Sequence, residues 1–266
     1  MAKIKIAYSA RVHIGLLRTS NEDNIYTAGI SLPIASRDAP FAIDGSVAAS
    51  TVFAVCDGMG GEDDGEIASL IAVQALAGTE PQLTSAAAHE LPRLIQSAVD
   101  SANDELRKLS DGAKRIGTTL ALVVARTDGI YCSGIGDSRI YCLRRGEFWQ
   151  ISRDHTLAAE HQNRTQSPKT AHMLTRCIGI GAAQTEHFAT LHGACRLLIC
   201  SDGLTDMVDS HTIERLLRQS DSTSEAASAL ANAALCNGGR DNVTVVVLDV
   251  TQKYSLHKIT SKLKNR

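Results

Sequence analysis

The sequence predicts an α+β fold in which two antiparallel sheets pack face to face with helices outside. Three observations carry this. Apolar, β-branched runs at 47–56, 118–126 and 242–250 read as buried strands. Asp128-Gly129 and Arg145-Gly146 each sit between two such runs, as hairpin turns do. The helical stretches come in pairs between groups of strands, unlike the one-for-one alternation of a doubly wound sheet.

In chain order, Ile4, Ile6 and Tyr8 alternate with polar residues and mark a first strand. The polar segment 17–23 is a turn, and 24–28 a short strand. Residues 31–46, with Pro33, Pro40 and Gly45, read as irregular. After the strand at 47–56, one helix is expected over 65–77 and a second over 86–109. The second places Leu91, Ile95, Ala98, Ala102, Leu106 and Leu109 on one face, with Pro92 in or near its first turn. Strands at 118–126 and 130–134 form one hairpin, and 138–143 with 147–151 another. Segments 185–191 and 196–200 are further strands. Helices follow at 210–218 and 222–236, the latter opened by the capping box Ser222-Thr223-Ser224-Glu225 and closed at Gly238-Gly239. A strand over 242–250 completes the fold. There is no internal repeat.

The chain has 266 residues, with 27 Lys+Arg against 29 Asp+Glu. That balance leaves no electrostatic footprint for nucleic acid. No apolar run is long enough for a membrane span, and the first residues lack a signal peptide's apolar core. Seven scattered cysteines without a C-x-x-C spacing suggest a reduced, cytoplasmic protein. The expected organisation is one domain over 1–252 and a basic tail over 253–266. The tail carries five Lys or Arg and no acidic residue.

Four aspartates stand at the edges of strand-like runs: Asp57, Asp137 and Asp202 near the ends of three, and Asp241 at the start of another. A carboxylate at the rim of a buried sheet loses hydration, and several converging would repel one another unless a cation lay between them. Oxygen ligands of this kind suit Mg²⁺ or Mn²⁺. Each Asp taken alone is ordinary turn chemistry. Arg18, close to Glu22 and Asp23, presents a planar fork suited to phosphoryl oxygens, or pairs with its acidic neighbours at the surface.

The ordered set Arg18-x-x-Asn21-Glu22-Asp23, Asp57-Gly58-Met59-Gly60-Gly61, Gly117-Thr118-Thr119, Gly136-Asp137-Ser138-Arg139, Ser201-Asp202-Gly203-Leu204 and Gly239-Arg240-Asp241-Asn242 resembles the metal-dependent PPM (PP2C-type) serine/threonine phosphatases, their compact bacterial members above all. The resemblance implies a four-layer α-β-β-α sandwich with its site at one edge of the sheets. It implies that Asp57 bridges two Mn²⁺ or Mg²⁺ ions, with the Gly58 carbonyl on the second and Asp202 and Asp241 on the first. Asp23, and also Glu22, would hold the second ion or its waters. Asp137 with Asp202 would hold a third ion, and Arg18 would clamp the substrate phosphate. The implied reaction is hydrolysis of phosphoserine and phosphothreonine in proteins by a metal-bridged hydroxide attacking phosphorus in line, in opposition to a Ser/Thr kinase. Phosphorylated proteins are then the partners of a monomeric, cytoplasmic enzyme that needs neither nucleic acid nor membrane.

Met59 departs from the family pattern, since animal relatives carry a histidine there that is proposed to protonate the leaving alcohol. The general acid is left open between a metal-bound water and His161 or His172. Those histidines lie in the polar 154–176 segment, where bacterial members carry a flap. Met59 is also the one feature favouring a rival class, a regulatory phosphoprotein-binding module of the same fold. No P-loop, nucleophile elbow, thiol-phosphatase signature or zinc spacing is present.

Overall fold

The computed structural model describes residues 3–32, 35, 37–60, 64–110, 115–160, 173–181 and 183–253. One sheet has the strand order β10-β9-β12-β13-β1-β4. It is built from β1 (Lys3–His13), β4 (Phe41–Val47), β9 (Arg139–Arg144), β10 (Glu147–Gln150), β12 (Cys195–Cys200) and β13 (Val243–Lys253). The other has the order β11-β8-β7-β5-β2-β3. Its strands are β2 (Asp23–Thr27), β3 (Ile30–Ser31), β5 (Thr51–Met59), β7 (Leu120–Ala125), β8 (Ile130–Ile135) and β11 (Glu186–Leu191), with the short β6 (Gly117–Thr118) paired to the end of β5. All pairings are antiparallel.

The layers follow from how each strand divides its side chains. In β7, Leu120, Leu122 and Val124 face α1 (Gly65–Ser85) and α2 (Leu91–Leu109), while Ala121, Val123 and Ala125 face the other sheet. In β13, Val246, Leu248 and Val250 join the core between the sheets. Val243, Val245 and Val247 pack beneath α5 (Ser210–Gln219) and α6 (Thr223–Cys236). A strand buried on both faces has no polar side, so its sequence is a continuous apolar run. Three apolar cores between four layers make the expected α-β-β-α sandwich.

Both expected hairpins form, the second turning through Arg145 and Gly146 at φ 52° and 82°. Ser222 caps α6 by accepting from the Glu225 N–H. Four expectations need correction. Residues 41–47 form a strand, because Phe41 to Val47 pair with β1 as an edge. The first helix continues past residue 77 to Ser85, through Gly78 and Pro81, because Leu83 is fully buried and Glu80 is held by Tyr26 and Thr51. The second helix begins at Leu91 after a 3₁₀ turn at Ala88–Glu90, and Leu109 points to solvent. Two four-residue helices, α3 (Leu157–Glu160) and α4 (Asp202–Thr205), went unforeseen. The tail beyond Lys253, His161, His172 and the centre of the 154–176 segment lie outside the described residues.

Candidate active site

The strand ends of both sheets meet at one edge of the sandwich. There Arg18, Glu22, Asp57, Gly58, Met59, Asp137, Asp202 and Asp241 line a cleft of about 310 Å³, together with Gly60, Thr119 and Leu174. Every metal- or phosphate-binding residue expected from the sequence is in its wall except Asp23. That residue is buried directly beside it, opposite Asp57 in the β2–β5 register.

Local packing explains why these positions converge. The main chain of Asp57 is held by β6 and the start of β7. Its N–H donates to Thr119 Oγ1 at 3.0 Å, and its carbonyl accepts from Thr118 Oγ1 and the Thr119 N–H at 2.9 Å each. Thr119 Oγ1 is hydrogen-bonded in turn to Ser138 Oγ at 2.7 Å, next to Asp137. Gly58 lies so close to the start of α1 that a Cβ there would stand 2.0 Å from the Gly65 carbonyl oxygen. Gly203 is as confined, its Cβ position 1.9 Å from the Asn242 carbonyl oxygen. Both contacts require the backbone to approach without a side chain.

Asn242 ties the two sheets together at this edge. Its amide donates to the carbonyls of Ile14 and Ser20, and its Oδ1 accepts from the Glu22 N–H at 2.8 Å. Asn242 enters the sequence pattern only as a neighbour of Asp241, and Ser201 and Thr244 carry no local signal of their task. Their hydroxyls donate to Asp23 Oδ2 at 2.8 and 2.6 Å, while Asp23 Oδ1 is buried without a partner. Arg37 and Asp38 also escaped notice, because they lie in the stretch read as irregular. The Asp38 carboxylate accepts from the Asn21 N–H, and Arg37 pairs with Glu66 at 2.7 Å.

The charges are unbalanced. Burial, with the added repulsion of Asp202 and Asp241, pushes Asp23 up to about 7. Burial and the neighbouring Asp202 and Asp154 bring Asp137 to about 7 as well. Asp202 is raised to about 6 by burial and by Asp241 and Asp206. Asp57 goes well above the carboxylate range through burial and its neighbours Asp23, Asp202 and Asp137. Glu22 is raised chiefly by burial. Among the described residues, Arg18 is the one cation of the cleft wall. It is half exposed and donates from Nη2 to Asp241 Oδ2 at 2.6 Å, so its acidic partner is not the Glu22 or Asp23 adjacent in sequence.

No three His, Cys, Asp or Glu side chains among the described residues stand gathered around a point as they are. Asp202 is hydrogen-bonded to Asp57, and Arg18 occupies one oxygen of Asp241. The donor set nevertheless fits a hard cation: all oxygen, strongly acidic, with a buried carboxylate oxygen unsatisfied. No described histidine lines the cleft, and Met59 does. His155, behind Asp137, is buried and spoken for. Its Nδ1 accepts from the Gly136 N–H at 3.0 Å, which leaves Nε2 to donate to Glu186 at 3.2 Å.

Residues 34–237 match the family model for protein phosphatase 2C. The chain belongs to the protein phosphatase 2C family. It is 32% identical to the serine/threonine protein phosphatase PstP of Mycobacterium tuberculosis, over 94% of this chain and 46% of PstP. It thus spans about half the length of that relative. The serine/threonine phosphatase stp of Listeria monocytogenes is 31% identical over 75% of this chain and 85% of its own. Among solved structures, the catalytic domain of PstP in complex with two manganese ions superimposes with a TM-score of 0.75. It is 31% identical, and the match covers 93% of this chain and 99% of that one. PppA of Pseudomonas aeruginosa superimposes with a TM-score of 0.74 at 28% identity, covering 91% and 97%. The two superimposed structures share the two-sheet architecture described above.

Proposed function

We propose that this chain hydrolyses phosphoserine and phosphothreonine in proteins with the help of two Mn²⁺ or Mg²⁺ ions. The observation that carries the reading is the cleft itself: Glu22, Asp57, Asp137, Asp202 and Asp241 face one another with Arg18 as the only cation among the described residues of the wall. Such a wall is unfavourable at neutral pH until divalent charge is supplied. Membership in the protein phosphatase 2C family, and the two manganese ions named for the PstP catalytic domain, support the same reading.

Asp57 would serve both ions, the Gly58 carbonyl the second, Asp202 and Asp241 the first, and Asp23 and Glu22 the second or its water shell. Bound divalent ions lower the pKa of coordinated water and offset phosphoryl charge. The side chains do the rest. Thr119, Thr118 and Asn242 fix the strand ends that present the carboxylates. Arg18 offers a fork of five donors, of which Asp241 takes one among the described residues, and the fork suits phosphoryl oxygens. No described side chain of the cleft is assigned as proton donor to the leaving alkoxide. The reading extends to a third ion at Asp137 with Asp202, and to a cytoplasmic monomer that opposes a Ser/Thr kinase.

The test is Mn²⁺-dependent phosphate release from a phosphothreonine peptide. Asp202→Asn is expected to lower kcat/KM at least about 10²–10³-fold, and Arg18→Ala about 10²-fold, both with the fold retained. Full activity in EDTA overturns the proposal. Tight peptide binding without turnover would instead favour the phosphoprotein-binding module that Met59 allows.

A further inference from the structure

The two most exposed large apolar side chains among the described residues are Leu17, at 69%, and Leu16, at 60%. They are consecutive, and the next residue is Arg18 of the cleft wall. A single exposed leucine needs no explanation, but an apolar step joined to a polar site does.

The loop that carries them is pinned. The Leu16 N–H donates to the Gly239 carbonyl at 2.7 Å, and the Asn242 amide holds Ile14 on one side and Ser20 on the other. The Gly15 N–H donates to His13 Nδ1, and Arg18 is fastened to Asp241. The two leucines are therefore presented to solvent by a loop that is hydrogen-bonded on both sides of them. Leu174 adds an apolar side chain to the cleft lining, and its neighbour Met173 is 52% exposed.

We propose that Leu16 and Leu17 form a lip that receives an apolar residue flanking the phosphorylated side chain of the substrate. The preferred substrate class is a phosphopeptide with an aliphatic or aromatic neighbour beside its phosphoserine or phosphothreonine. The proposal rests on the phosphatase reading and deepens it. Two features select this occupant. The lip is continuous with the residue assigned to the phosphate, and an extended peptide advances about 3.3–3.6 Å per residue, so a residue one or two places from the phosphorylated one meets it. Leu16 and Leu17 carry no charge, so setting an aspartate against them costs hydration that setting an aliphatic side chain there does not.

The experiment measures kcat/KM, with Mn²⁺, for a phosphothreonine peptide with serine at the two positions on each side. It repeats the measurement with leucine, then aspartate, placed at each position in turn. Leucine at one or more positions is expected to raise kcat/KM about tenfold over serine, the low end of discrimination by an apolar contact. Leu17→Ser, and the double variant Leu16→Ser with Leu17→Ser, should bring that ratio close to one, while Leu17→Met keeps it. Thermal melting of each variant checks the fold. A ratio near one in the parent chain, or one that survives both serine variants, overturns the lip while leaving p-nitrophenyl phosphate hydrolysis intact. Absence of phosphate release from every peptide and from p-nitrophenyl phosphate overturns the phosphatase reading, and the lip with it.

Discussion

Asp249 on β13 lies in the fork of Arg196, with Nε and Nη2 each 2.7 Å from one of its oxygens. Asp44, Asp128 and Asp154 are served likewise by Arg11, Arg126 and Arg139. In the cleft, Asp57, Asp137 and Asp202 face chiefly one another. The fold supplies a guanidinium to each of these four outlying carboxylates, and among the described residues only one to the whole cleft wall. Side chains of one chemistry thus serve two purposes. Paired, they fasten strands and helices together. Unpaired, they hold unspent negative charge, which is what a divalent cation requires.

The largest expected difference between the two regions is in their response to pH. Folded-state values near 7 for Asp23 and Asp137, and near 6 for Asp202, lie above the ordinary carboxylate value of about 4. The folded chain therefore retains protons that the unfolded chain has released. Without metal, this contribution to stability is full below about pH 4 and is lost as pH rises through 6–7. The Arg-paired groups run the other way. Burial alone would raise Asp44 and Asp128, but Arg11, with Ser9 and Ser224, and Arg126 outweigh it and hold them below the usual range. Their contribution is lost as pH falls below about 4. Melting in EDTA should show Tm falling from pH 5 to pH 8. Mn²⁺ at about a hundred times its Kd should raise Tm at pH 7.5 by roughly 5–10 °C. A flat profile in EDTA would remove the distinction between the regions.

A smaller effect probes how the cleft is supported. Thr244 donates its hydroxyl to Asp23 Oδ2 at 2.6 Å, and the two residues are buried. Thr244→Val keeps the shape and removes the donor. Removing an outer hydrogen bond of this kind weakens metal binding about 10–100-fold, and calorimetric titration with Mn²⁺ is expected to fall in that range. An unchanged affinity would mean that Ser201 alone orients Asp23.

Much of this was readable from residues, for identifiable reasons. Asp57, Asp137, Asp202 and Asp241 stand out because each interrupts an apolar run, a purely local signal. The layers were readable because a doubly buried strand shows a continuous apolar run. The supports of the cleft were not, because they join distant positions. Thr244 and Asp23 are 221 residues apart, Ser201 and Asp23 178, and Asn242 and Glu22 220. A serine, threonine or asparagine has no periodicity that announces such a partner. Arg18 shows the same limit. Its nearest acids in sequence were Glu22 and Asp23, yet it bonds Asp241 across 223 residues. The early end expected for the first helix has a different cause. Gly78 and Pro81 are local stop signals, and the tertiary contacts of Glu80 and Leu83 override them.

The smallest effect is expected where the pairing is complete. In Asp249→Ala, Arg196 loses its carboxylate, but its Nη1 still donates to the carbonyls of Leu217 and Ser220 at 2.7 and 2.8 Å. The Asp249 side chain is 37% exposed, so water screens the pair and rehydrates what remains. The cost should be about 1 kcal/mol, a fall in Tm of about 2–4 °C for a chain of this size. Because β13 also carries Thr244 toward the cleft, the substitution separates two explanations of any change there. If strand position alone governed the site, loosening β13 at Asp249 would weaken Mn²⁺ binding as Thr244→Val does. If the hydroxyl on Asp23 governs it, Asp249→Ala should leave Mn²⁺ affinity within about twofold of the parent while Tm falls. Equal losses of affinity in the two variants would mean that the paired and unpaired carboxylates form one mechanical unit, and the contrast between them would fail.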